Sequence, residues 1–214
     1  MPASTSPVHL LIRVWLPNRP GALGLVASRI GACRGDIVGI DVLEASAEVA
    51  VDEFAVTLAD ESLVDVVIKE IIEVDGCNVE SVSRVTHFPD PRTDAVASAA
   101  SLLEASDRAD LLQRLVTLLC DEFNLDWAAV VGEPSASCGT GVPSAETLAA
   151  LATGATASAS LLAGDTGPDD LAVAMLEQAG CTLLAGRTHG PFRRRERAQI
   201  RGLAIVADRC WHLV

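Results

Sequence analysis

Trp15-Leu-Pro-Asn-Arg-Pro-Gly-Ala-Leu23 separates two patterns of different period. Before it, Leu10, Ile12, Val14 and Leu16 alternate with His9, Leu11, Arg13 and Trp15, which predicts a strand over residues 8–16. After it, Leu23, Val26, Ala27, Ile30 and Cys33 recur at helical spacing, which predicts a helix from Pro20 to about Arg34. Pro20 suits the first helical position because its φ is already set and its missing N–H is not needed there. Gly21, without a Cβ, leaves the backbone open to a close neighbour. A strand passing through a tight polar turn into a helix presents free N–H groups, a small anion site. A carboxylate there gains about 0.3–1 kcal/mol from the helix dipole. Any strand-to-helix turn with proline at this place shares these features, so its meaning depends on the chain around it.

The elements that follow supply that context. Gly35 fits a helix C-cap, and a second strand begins at Asp36 and runs through 37–45. A third strand, 49–59, follows a short Ala-Ser-Ala-Glu turn. Val38, Ile40 and Val42 share one face of the second strand; Phe54, Val56 and Leu58 share one face of the third. Asp60-Glu61-Ser62 caps a helix with acidic residues at its favourable end. Leu63, Val66, Val67, Ile71 and Val74 form its predicted buried face, and Cys77 to about Val85 reads as a fourth strand. The order strand, helix, strand, strand, helix, strand is the split βαβ of ferredoxin-like folds. Residues 36–80 hold thirteen acidic residues and one basic, Lys69, the only lysine of the chain, and read as a solvated acidic face.

With Asn18-Arg-Pro-Gly-x-Leu23 in the first turn and Gly35-Asp-Ile-x-x-Ile40 entering the second strand, this half resembles an ACT domain, placed at residues 8–88. ACT domains are small regulatory modules that bind amino acids, with the ligand held at a subunit interface. The resemblance implies a homodimer in which Asn18, Arg19, Pro20, Gly21, Ala22 and Leu23 of one chain face Asp36, Ile37 and Val38 of the other. Asn18 would orient the ligand's amino or carboxylate group, and the N–H groups of Ala22 and Leu23 would hold the carboxylate. Asp36 departs from the asparagine common in amino-acid-binding members: an ionised Asp only accepts hydrogen bonds. A dimerisation module that has lost its ligand is the alternative.

Phe88-Pro-Asp-Pro-Arg-Thr-Asp94 reads as the start of a linker over 89–97. A helix is predicted over 95–123, with an apolar stripe through Leu111, Leu112, Leu115, Leu118 and Leu119. Then come a strand at 126–131, a loop at 132–143, a helix from Ser144 to about Ala152, strands at 157–163, 170–176 and 181–185, a turn at 188–191 and a helix from about Phe192 to Trp211. The ending, Leu183 through Gly186, Arg187, His189, Gly190, Pro191, Phe192, Glu196 and Ile200 to Leu203 and Ala204, resembles the last strand and helix of GAF domains. The expected class is α+β: a ferredoxin-like βαββαβ ACT domain, then a compact α+β GAF-like domain over 98–214.

The bulk properties narrow the function. The 214 residues are 50% hydrophobic with a net charge of −13, which argues against attraction to nucleic acid or an anionic membrane. Arg193, Arg194, Arg195, Arg197 and Arg201 form the one basic cluster and are expected on the outward side of the closing helix. Six cysteines without a CxxC pair suit a reducing, cytoplasmic setting. Residues 1–7 lack a basic start, and no apolar run of 18 residues reads as a membrane span. His9, His87, His189 and His212 have no metal-ligand spacing. No cofactor, metal or catalytic constellation is expected. The function expected is regulatory and non-catalytic: an amino-acid sensor signalling through the GAF-like half. An assembly protein is the alternative. The other is an enzyme built on the 132–143 loop with Ser135, Ser137 or Cys138.

Overall fold

The computed structural model describes residues 6–158, 168–188 and 190–214, the side chains at 91 and 92 aside. The chain divides between Pro89 and Asp90 into two compact units. Each is built on a small antiparallel sheet with helices, so the protein is α+β.

The N-terminal unit runs β1 (Val8–Pro17), α1 (Ala22–Ala32), β2 (Asp36–Ala45), β3 (Val49–Leu58), a 3-10 turn (Glu61–Leu63), α2 (Val64–Ile72) and β4 (Asn78–Val85). The sheet order β2-β3-β1-β4 interleaves the two βαβ halves, and every neighbouring pair is antiparallel. One face of the central strands, Leu10, Ile12 and Val14 of β1 with Phe54, Val56 and Leu58 of β3, is buried against Val26 and Ile30 of α1 and Val67 and Ile71 of α2. Each such side chain contributes about 1.5–3 kcal/mol of transfer free energy. Asp60 caps the 3-10 turn by accepting from the Ser62 N–H at 2.8 Å. Val64 faces inward with Val67 and Ile71, whereas the expected Val66 is exposed. The opposite sheet face is polar in part, with Arg13 and Glu53 paired at 2.6 Å.

The C-terminal unit runs α3 (Pro91–Leu102), α4 (Arg108–Glu122), β5 (Trp127–Val131), β6 (Ala136–Gly139), α5 (Ala145–Thr156), β7 (Leu171–Leu176), β8 (Cys181–Gly186) and α6 (Arg194–Cys210). The sheet order is β6-β5-β8-β7. Leu102 of α3, Leu111, Leu112, Leu115 and Leu119 of α4 and Ile200, Leu203 and Ala204 of α6 pack on Ala128, Val130, Leu183 and Ala185. Ala152 and Ala155 of α5 pack on Val173 and Leu184, whose side chains point the other way. Burial on both faces explains why β7 and β8 read as continuous apolar runs rather than alternating ones.

Several expectations change here. The stretch read as linker is helical from Pro91: Asp90 accepts from the Thr93 hydroxyl at 2.9 Å while its own N–H donates to Asp94 at 2.8 Å. The helix read over 95–123 is broken: α3 ends at Leu102, and Asp107 caps α4 by accepting from the Asp110 N–H at 2.9 Å. The loop read at 132–143 contains the edge strand β6, and α5 continues past Ala152 to Thr156. The strand expected at 157–163 and His189 of the 188–191 turn fall largely or wholly outside the described residues.

Candidate functional site

β1 leaves the sheet at Pro17. The Arg19 N–H donates to the Pro17 carbonyl at 2.8 Å and the Ala22 N–H to the Arg19 carbonyl at 3.2 Å, which closes a tight turn. Asn18 fastens this turn to the β2–β3 hairpin: its N–H donates to the Glu48 carbonyl at 2.8 Å and its Nδ2 to the Ser46 carbonyl at 2.5 Å. The helix begins at Ala22, two positions later than Pro20 as first helical residue requires. Gly21 is the N-cap, with φ +89 in the left-handed region, where a side chain is strained. A Cβ there would meet nothing within 4 Å, so glycine is needed for its conformation and not for a close neighbour. Gly21 offers no side chain to cap the first turn.

Beneath this turn lies a concave site of about 430 Å³, within the size range of small-molecule sites. The turn side is Asn18, Arg19, Pro20, Gly21 and Leu23; the sheet side is Leu16, Val42, Ala45, Ala50 and Asp52. Of the residues expected to bind, the turn therefore gathers five at one cavity. Ala22 is buried behind it, with its N–H turned to Arg19.

Asp36, Ile37 and Val38 stand elsewhere. Asp36 pairs with Thr57, whereas Ala45, at the cavity, pairs with Ala50. The nine-residue separation along β2 is about 30 Å. α1 carries the chain back before β2 starts, so β2 begins at the end of the sheet where β1 begins. One chain does not bring the two groups together.

Asp52 is the residue that the sequence reading missed. It pairs with Val14 on one side and Val42 on the other, so its carboxylate points to the same sheet face as Phe54 and Val56. It is 2% exposed, and its Oδ1 has no hydrogen-bond partner. Burial pushes its carboxyl above the usual carboxylate range. The strand period gives the signal that could have found it: Asp52 shares parity with Phe54, Val56 and Leu58.

Two arginines of the basic cluster are buried in the C-terminal unit. Arg193 and Arg197 are buried, against the expectation of an outward face. Arg197 donates to the Leu171 and Pro168 carbonyls, each at 2.6 Å. Buried Arg187 pairs with Glu196 through two bonds, 2.8 and 2.6 Å, and donates to the Pro191 carbonyl at 2.6 Å. Cys138 of β6 lies beside Cys120 of α4. Burial first, then the neighbouring thiol, pushes Cys120 up to about 12, away from the reactive thiolate. Among the described residues, no group of three or more His, Cys, Asp or Glu is placed to hold a metal, and no helix is long and apolar enough to cross a membrane.

No protein-family model matches the chain, and no curated protein matches it. Among solved structures, the ACT domain from GTP pyrophosphokinase of Chlorobium tepidum is 13% identical, with a TM-score of 0.31, over 39% of this chain and 92% of that one. An unknown protein from Galdieria sulphuraria is 12% identical, with a TM-score of 0.32, over 46% of this chain and 64% of that one. At such TM-scores neither likeness defines the fold.

Proposed function

We propose that the N-terminal unit is an ACT-type regulatory module that binds a small amino acid beside the β1–α1 turn, and that the C-terminal, GAF-like unit carries the output without catalysis. The cavity under the uncapped start of α1 carries this reading. A ligand carboxylate set against the first-turn N–H groups gains from the helix dipole, and Arg19 adds a positive charge at the rim. The interleaved βαββαβ order supports the ferredoxin-like class to which ACT modules belong.

The module acts as a homodimer in this reading. β2 is an edge strand that exposes Val38 and Ile40, and an uncovered apolar edge invites strand pairing. A second copy would also supply Asp36, Ile37 and Val38 to the turn, which a single chain cannot. The same edge favours a second reading, an assembly protein without a ligand. To signal, the ligand must bind two conformations unequally.

Thermal unfolding of the full chain against each of the twenty amino acids at millimolar concentration separates the two. Stabilisation by one or two related amino acids, worth about 2.7 kcal/mol at a hundredfold excess over Kd, is the expected result. No shift with any of them rejects the sensor and leaves the assembly reading.

A further inference from the structure

We infer that Asp52 is the counter-ion for a protonated amine on the ligand of this cavity, and so the residue that admits amino acids and refuses the corresponding acids without nitrogen. The inference rests on the proposed binding function and adds the group that selects the ligand. Asp52 is 98% buried, lines the cavity and leaves Oδ1 without a hydrogen-bond partner. Buried carboxylates in folded proteins are paired or hydrogen-bonded, because an uncompensated one is costly. Among the described residues, no arginine forms an ion pair with Asp52, although Arg19 stands at the cavity rim. Arg13 pairs with Glu53 on the opposite sheet face, and Arg19 lies 3.9 Å from Asp75.

The cavity therefore has two chemically opposite ends. At one, the helix start at Gly21 has no capping side chain and favours an anion. At the other, Asp52 lacks a cation and a donor. An ammonium group supplies both, with three N–H donors and a positive charge. A zwitterion satisfies the two ends together. A 2-hydroxy acid satisfies the first and offers the second only a neutral hydroxyl. Between the ends, Leu16, Val42 and Ala50 give an apolar wall for a small side chain.

The test is calorimetric titration of the full chain with the twenty amino acids and, for each that binds, the 2-hydroxy acid with the same side chain. The best amino acid is then titrated into Asp52→Asn, after circular dichroism has checked its fold. A charge-assisted hydrogen bond predicts binding about tenfold to hundredfold weaker for the hydroxy acid, and a loss of the same order for the variant. Equal binding of amino acid and hydroxy acid by the wild type overturns the role of Asp52 and leaves the cavity's function standing. So does undiminished amino-acid binding by Asp52→Asn. If neither class binds the wild type, the binding function falls and this inference with it. The wild-type comparison decides the matter even if the variant does not fold.

Discussion

The two units each bury a carboxylate, and they treat it in opposite ways. In the C-terminal unit, Glu196 meets the Arg187 guanidinium through two bonds and accepts from the Arg193 N–H at 2.8 Å. Arg187 in turn donates to the Pro191, Gly190 and Phe123 carbonyls and lies over the Phe192 ring. The Nε and both terminal nitrogens of Arg187 find acceptors, and the cluster ties the end of β8 to the start of α6. In the N-terminal unit, Asp52 has an unbonded oxygen at the wall of a cavity. A buried charge whose partners are all internal is architecture. One whose partners are missing is an opening for something from outside.

Breaking the satisfied cluster should cost the most. Arg187→Ala strands Glu196 in the interior and is expected to destabilise the C-terminal unit by about 3–5 kcal/mol. Urea denaturation read at Trp127 and Trp211 measures it, and a loss below about 1 kcal/mol would remove the contrast. A neutral packing fault in the same unit should cost less. A Cβ at Gly186 would sit 2.3 Å from the Trp127 ring, so Gly186→Ala is expected to lose about 1–3 kcal/mol by overpacking.

The unsatisfied charge should respond with the opposite sign. Asp52→Asn is expected to stabilise the ligand-free protein by about 1 kcal/mol at pH 7. Because burial raises the Asp52 carboxyl in the folded state, the penalty for its charge is present at neutral pH. It fades as pH falls through the raised value, and it is gone below the ordinary carboxylate range. Stability curves of wild type and variant should therefore converge toward pH 4. A constant gap across pH would show that shape, not charge, separates them. The smallest effect is at Cys120, whose thiol is held up near 12. At pH 8 about one such thiol in ten thousand is ionised. Iodoacetamide should modify it only after unfolding, as peptide mass mapping can show; labelling in the native state within minutes would contradict that.

Much of the N-terminal unit was legible because its strands are half-buried. The alternation of Leu10, Ile12, Val14 and Leu16 fixes both the strand and its buried face. Gly35 read as the C-cap of the first helix, but α1 ends at Ala32 with Cys33 as its C-cap, and the left-handed residue is Arg34, at φ +60. The turn was legible as a place but not as a geometry. Pro20 looked like the first helical residue, and only the positive φ of Gly21 moves the helix start to Ala22. Asp52 was hidden by its neighbours, since a carboxylate in an acidic run looks solvated until strand parity is followed from Phe54. Arg197 was hidden in the same manner. Its spacing to Ile200 and Ala204, three and seven residues on, places it on the buried stripe of α6, but the run of arginines suggested a surface. In both places the charge drew more notice than the period. In the C-terminal unit, strands covered on both faces lose their alternation, and β6 is too short to show any.

The interleaving of the N-terminal sheet also sets a timetable for synthesis. β1 is made first, yet it lies between β3 and β4 and is the last strand to gain both neighbours. At translation speeds of about 5–20 residues per second, roughly 4–15 seconds pass between the addition of Leu10 and that of Val85. Through that interval Leu10, Ile12 and Val14 must wait without their final cover. A nascent chain stalled before residue 78 would hold the central strand with one side open, an unpaired edge of the kind that invites association with other chains.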